Sequence, residues 1–181
     1  MKPQKKGPWQ TVGTTPKYKN PWLSVREDKV IRPDGKDGIF GVVTMLPGVT
    51  VLPIDDDGNV YITKEYKYAI ERETIELVSG GFEPDEDRLD AARRELKEET
   101  GLEAKEIIEL GFIDPFTTAV NCPNYMFLAR GLTQGKADPE GTEVIEVLKV
   151  PYQQALDWVQ DCTITHGASV VTVLKAGKYI K

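Results

Sequence analysis

The chain has 181 residues, 40% hydrophobic and 29% charged, enough for one complete core with a small appendage. A formal net charge of −6 gives no basic footprint for a nucleic acid or an anionic membrane, so a polyanionic ligand would need a cation or a local group of basic side chains. No apolar run approaches the roughly 20 residues of a bilayer span, and no apolar stretch follows the basic start, so a cytoplasmic protein is expected.

In chain order, Met1 to Asn20 is rich in Lys, Pro, Gly and Thr without a clear period and reads as a flexible arm holding at most one early strand. Two β-rich runs follow, Trp22 to Val30 and Gly38 to Met45, separated by the turn signal Arg32-Pro33-Asp34-Gly35, which predicts a small antiparallel sheet. Gly48 to Ile54 and Val60 to Thr63 flank an acidic turn, Asp55 to Asn59, and predict a hairpin. After Gly80-Gly81 and a loop with Pro84, the spacing of Leu89, Ala92 and Leu96 predicts a helix from Leu89 to Thr100 that ends at Gly101. Further strands are expected at Ile107 to Ile113, Tyr125 to Arg130 and Val144 to Val150. Pro151 suits the first position of a helix running to Gln160, and a last helix is expected from Ala168 to Ala176. Strands on both sides of a central helix, without an internal repeat, indicate a mixed α/β sandwich.

Cys122 and Cys162 lack CxxC spacing, and with His166 as the single histidine no thiol and imidazole zinc site can be assembled. Both read as buried thiols and not as a disulfide. His166, in Thr165-His166-Gly167, reads as a residue at the start of a helix and not as a catalyst.

The central helix carries Arg94-Glu95-Leu96-Lys97-Glu98-Glu99. At about 100° per residue, Glu95, Glu98 and Glu99 share one strip beside the apolar strip of Leu89, Ala92 and Leu96. Like charges at these spacings repel, and a hard divalent cation reverses that sign. A solvated acidic face relieved by Lys97 and Arg93 is the other reading of the helix alone.

The wider spacing separates the two. Gly80, Glu86, Arg94-Glu95, the aliphatic Leu96, Glu98-Glu99, Gly101 and the aliphatic Leu102 match the Nudix box at every defined position, a coincidence expected by chance on the order of once in ten million. The chain therefore resembles the Nudix hydrolases. The resemblance implies a Nudix α/β/α sandwich with a mixed β-sheet over residues 47–181, preceded over residues 1–46 by an arm and a small antiparallel β-sheet serving dimerisation and base binding.

It also implies site residues. Glu95 and Glu99 would be the main Mg²⁺ ligands, with Mn²⁺ as the alternative ion. Glu98 would be a further ligand or orient bound water, and the Ser79 carbonyl would join them where Gly80 allows a tight backbone turn. Arg94 would pair with a neighbouring carboxylate. Glu86 would be a more distant supporting carboxylate, or a helix N-terminal charge favoured by the dipole. Glu140 and Glu143, in a late loop, are the candidates for the general base, with a surface loop charge as the other reading of each.

Looser features resemble the ADP-ribose pyrophosphatase and nucleotide-sugar branch of the family: Pro47-Gly48-Val49, Glu65-Tyr66-Lys67 and Glu76-Leu77-Val78-Ser79-Gly80. That branch usually has arginine where Lys67 stands and Pro-Ala where Val78-Ser79 stand. The implied activity is Mg²⁺-dependent cleavage of a nucleoside diphosphate sugar, foremost ADP-ribose to AMP and ribose 5-phosphate, by a homodimer without nucleic-acid or membrane partners. Trp22 and Phe40 would stack on the base, or belong to a core. Lys67 would meet a phosphate, or lie solvated on the surface, and Pro115 would face the terminal sugar, or serve as a turn proline. A Nudix hydrolase of another diphosphate derivative or a triphosphate, and a nucleotide-binding module that does not cleave, remain the alternatives.

Overall fold

The computed structural model describes residues 4–83, 85–138 and 144–180. Its strands are β1 (Gln4–Lys6), β2 (Trp9–Lys19), β3 (Leu23–Ile31), β4 (Asp37–Met45), β5 (Gly48–Pro53), β6 (Asn59–Lys67), β7 (Arg72–Glu76), β8 (Val78–Gly81), β9 (Leu102–Ile113), β10 (Val120–Asn121), β11 (Asn124–Gln134) and β12 (Glu146–Pro151). The helices are α1 (Arg88–Thr100), α2 (Tyr152–Gln160) and α3 (Gly167–Ala176). Two compact units result, one up to Leu46 with Phe116–Cys122, the other Pro47–Pro115 with the chain from Pro123 onward.

The first unit is a sheet of order β1-β2-β3-β4-β10, antiparallel except where β10 joins β4. Here the expected arm is corrected, because Trp9–Lys19 is an eleven-residue strand. Its period is hidden by two register shifts, one beside Gly13 and one beside Pro16. Proline is tolerated there because β1 pairs only with Trp9–Thr11, so beyond Thr11 no second strand in this sheet needs the N–H that Pro16 lacks. Under this sheet lies Asp28, 3% exposed. Thr14 donates to its carboxylate at 2.7 Å and Arg26 at 3.3 Å, with Lys6 at 3.5 Å. Burial alone would raise its pKa, but these hydrogen bonds and charges hold it below the usual 3.8.

The second unit is an α/β/α sandwich. Its four-stranded sheet, β8-β5-β11-β9, is mixed: β5 and β11 run parallel and the flanking pairs antiparallel. Alternation along the strands sorts the two cores. Val49, Val51, Phe127 and Ala129 pack with Ala91, Ala92 and Leu96 of α1, whereas Leu52, Met126 and Leu128 pack with Val173 and Ala176 of α3. Every residue of β5 is buried, as a central strand covered on both faces requires, and each such aliphatic side chain contributes roughly 1.5–3 kcal/mol.

This double burial also explains why the expected β5–β6 hairpin does not form. The strands meet only at the bridge Ile54–Val60, and β6 instead joins β12 and β7 in a second sheet. Smaller differences concern element ends. β9 starts at Leu102 and β12 at Glu146, and Pro151 closes β12 one position before α2. The two thiols are unbridged, but Cys162 is exposed, in a left-handed turn after α2 (φ 63°), where a core position was expected. Cys122 is half-buried and donates to the Leu46 carbonyl at 3.4 Å. Among the described residues, no helix is long and apolar enough to cross a membrane.

Candidate active site

The loop and helix from Gly80 to Leu102 are placed by local signals. Asp87 caps α1, its side chain accepting from the Leu89 N–H at 2.8 Å. Gly101 ends the helix in the left-handed region (φ 72°), donating to the Lys97 carbonyl at 2.8 Å. The buried face of α1 differs from the expected one. Leu89 is exposed, and the inward residues are Ala91, Ala92, Glu95, Leu96, Glu99 and Thr100. Glu95 and Glu99 are 8% and 6% exposed, so this strip is not a solvated acidic face.

Burial of two carboxylates one turn apart demands compensation, and Arg94 provides part of it. Its Nε and Nη2 form a fork on the Glu86 carboxylate at 2.9 and 3.1 Å. Nη1 donates to Glu95 at 2.8 Å and to Glu98 at 2.9 Å, and Nη2 also donates to the Gly81 carbonyl at 3.2 Å. All five N–H groups of the guanidinium are thereby used. The hydrogen bonds to Glu86 first, then those to Glu95 and Glu98, raise the Arg94 pKa despite partial burial. The same fork holds the Glu86 carboxyl below its usual 4.5.

Strand β8 meets this helix face. The Ser79 N–H donates to Glu99 Oε1 at 3.2 Å. Gly80 stands against Glu95: a Cβ there would lie 2.0 Å from the carboxylate carbon and from Oε1. The glycine thus answers a close approach inside a strand and not the tight turn expected, since its φ is outside the left-handed region.

Lys67, at the end of β6, is half-buried and not a solvated surface lysine. It pairs with Glu65, and the charges of Glu76 and Glu99 act on it. Burial would lower its pKa, but Glu65, Glu76 and Glu99 together raise it. The structure therefore brings Ser79, Gly80, Glu86, Arg94, Glu95, Glu98, Glu99 and Lys67 together on one unit. It adds Glu65 and Glu76, which the motif spacing did not single out as site residues; their signal was the flanking resemblance in Glu65-Tyr66-Lys67 and Glu76-Leu77.

Of the others, Pro115 is exposed after β9. Trp22 and Phe40 belong to the N-terminal unit. Trp22 is 67% exposed, whereas Phe40 is half-buried and packs edge-on against Trp9 at 5.6 Å. Glu140 and Glu143 lie outside the described residues.

Arg94 thus bonds to Glu86, Glu95 and Glu98, and Lys67 pairs with Glu65 while the charges of Glu76 and Glu99 act on it. Among the described residues no three acidic, thiol or imidazole groups already converge on one point as metal ligands; Glu95 and Glu98 each lend an oxygen to Arg94. The donor set nevertheless fits a hard divalent cation. It consists of oxygens alone, on carboxylates packed against a strand where Gly80 leaves the Glu95 carboxylate room that a side chain would take.

The sequence profile of the NUDIX domain matches residues 44–165, and that of the nucleoside diphosphate sugar hydrolase N-terminal domain matches residues 9–43. The chain belongs to the Nudix family and is a pyrophosphohydrolase related to ADP-ribose pyrophosphatase. It is 30% identical over 137 residues to the ADP-ribose pyrophosphatase of Bacillus subtilis (strain 168), covering 71% of this chain and 70% of that protein. Identity is 22% over 169 residues with a methanol dehydrogenase activator of Bacillus methanolicus, covering 91% and 90%. A crystal structure of an ADP compounds hydrolase superposes with a TM-score of 0.81 at 18% identity, covering 99% of this chain and 94% of that one, a likeness of fold.

Proposed function

We propose that the protein hydrolyses the diphosphate bridge of a nucleoside diphosphate sugar in the presence of Mg²⁺, with ADP-ribose as the foremost substrate. The observation that carries this reading is the burial of Glu95 and Glu99 against Ser79-Gly80 in a cluster of carboxylates. Carboxylate and carbonyl oxygens gathered in this way are the donors that a hard divalent cation takes. The match of an N-terminal nucleoside diphosphate sugar hydrolase domain supports the substrate class.

Glu95, Glu99 and the Ser79 carbonyl, with Glu98, would hold the ion. Bound there, Mg²⁺ or Mn²⁺ makes a water more acidic and neutralises charge on the diphosphate. In the reaction, a water oxygen joins one phosphorus, the bridging oxygen leaves with the other, and the water's proton goes to a base. Arg94 keeps the carboxylates in register through its four hydrogen bonds to Glu86, Glu95 and Glu98. Glu98, the most accessible of the three acids, orients the water. Lys67 meets a phosphate as a point charge. Glu140 and Glu143 are the candidate bases, and Pro115 faces the terminal sugar. Trp22, with its exposed ring, stacks on the base, aided by Phe40. Residues 1–46 serve base binding and assembly of a homodimer, which light scattering of the purified protein tests.

Incubation with ADP-ribose and Mg²⁺ is expected to release AMP and ribose 5-phosphate, and to outpace GDP-mannose, UDP-glucose and NADH. Absence of AMP at high enzyme concentration removes the ADP-ribose reading. Tight nucleotide binding without turnover in either metal would replace it by a binding module.

A further inference from the structure

Leu77 is the point at which one extended segment leaves the three-stranded sheet as β7 and enters the four-stranded sheet as β8. The residue is 1% exposed, and a buried N–H at such a crossover requires a partner outside the ladders. Ser169 supplies it. Its Oγ accepts from the Leu77 N–H at 2.9 Å, and Ser169 is itself fully buried in the first turn of α3.

His166, at the N-cap of α3, braces the same point. Its Nδ1 lies 2.9 Å from the Ser169 oxygen and 3.4 Å from Glu76 Oε2. A carboxylate facing Nδ1 favours the tautomer with the proton on that nitrogen, so the ring donates towards Ser169 and Glu76. Burial lowers the imidazole's pKa, Glu76 counteracts this and Lys67 adds to it. Two residues beyond Leu77, the Ser79 N–H reaches Glu99. A chain of contacts thus runs from α3, some seventy positions past the box helix, to the backbone that faces the buried acids.

We propose that His166 and Ser169 are positioning residues: the first turn of α3 clamps the Glu76–Leu77 crossover and so fixes where Ser79 meets Glu99. Its consequence for metal binding rests on the hydrolase reading above, whereas the clamp itself is a property of the metal-free protein. Outer partners of this kind typically change metal affinity by about 10- to 100-fold.

The test compares Ser169→Ala and His166→Ala with Thr172→Ala, which removes another fully buried hydroxyl from α3, one bonded only within the helix to the Ala168 carbonyl at 2.7 Å. Hydrogen exchange of the metal-free proteins is read at the Leu77 and Ser79 amides, and Mn²⁺ affinity is read by paramagnetic resonance without substrate. Ser169→Ala is expected to speed exchange at both amides about tenfold and to weaken Mn²⁺ binding about tenfold. His166→Ala should do so to a smaller degree, and Thr172→Ala should do neither. Wild-type exchange at Ser79 in both clamp variants, or an equal rise in Thr172→Ala, overturns the proposal. Should Ser169→Ala not fold, His166→Ala decides alone, because that ring is partly exposed. If the wild-type protein takes up no Mn²⁺, the metal-dependent hydrolase reading fails, while amide exchange still decides the clamp.

Discussion

Each unit of the molecule buries carboxylates, and the way each compensates them separates scaffold from chemistry. In the N-terminal sheet one acid, Asp28, faces two cations and a hydroxyl donor, so its charge is answered within the fold. In the Nudix unit one guanidinium is divided among Glu86, Glu95 and Glu98, with Glu99 buried beside Ser79. A buried acid matched by its own cations is a fastening. A group of acids gathered around one guanidinium is a set of oxygen donors of the kind that a divalent cation takes, and here it lies on the residues of the Nudix box.

The largest expected effect comes from removing one acid from the Nudix box. Glu99→Gln keeps the shape of the side chain and should lower AMP release from ADP-ribose by roughly 10³-fold, since a lost ligand forfeits several kcal/mol of transition-state stabilisation. Circular dichroism should show the fold intact, and a near-normal rate would break the contrast between the units. Next is Gly80→Ala. The added methyl collides with the Glu95 carboxylate, so Mn²⁺ affinity measured by calorimetry should fall by about 10- to 100-fold, with a stability loss of about 1–3 kcal/mol. Unchanged affinity would mean that Glu95 does not act from its place beside Gly80.

The smallest effect on catalysis, and a clear one on stability, is expected at Asp28. Asp28→Asn should destabilise the protein by about 1–3 kcal/mol in denaturant titration while leaving Mn²⁺ affinity as in the wild type. The sign with pH follows from the depressed carboxyl. Its contribution is fully present above the usual value of 3.8 and is lost as pH falls through the lower folded value. The gap in stability between wild type and Asp28→Asn should therefore narrow below about pH 4. A gap that widens on acidification would show that Asp28 is not held as an ion.

Local rules made the Nudix-box segment legible. Asp87 and Gly101 bracket α1, and the acids are legible in the spacing from Gly80 to Leu102, because the family's box sets residue types at fixed offsets along one loop and helix. What the motif spacing could not supply was set by partners distant in the chain. Whether Glu95 and Glu99 turn inward or out depends on the sheet behind them, and Leu89, apolar and in phase, is exposed while Ala91 takes the buried place. The β5–β6 turn looked like a hairpin because turn chemistry is local, but β5 went to the centre of another sheet, where burial on both faces outweighs one short pairing. Trp9–Lys19 lacks a strand's period because register shifts beside Gly13 and Pro16 break the alternation, and pairing with β3 along its length and with β1 at its start makes it a strand.

The sequence by itself determined the family, the box and the order of most elements, since these rest on spacing and on short-range caps and turns. The tertiary structure alone decided which acids are buried, why Gly80 must lack a side chain, and that His166 and Ser169 hold Glu76 and Leu77. Those facts arise from atoms brought together across as many as ninety-two positions of chain, where no local pattern records the contact.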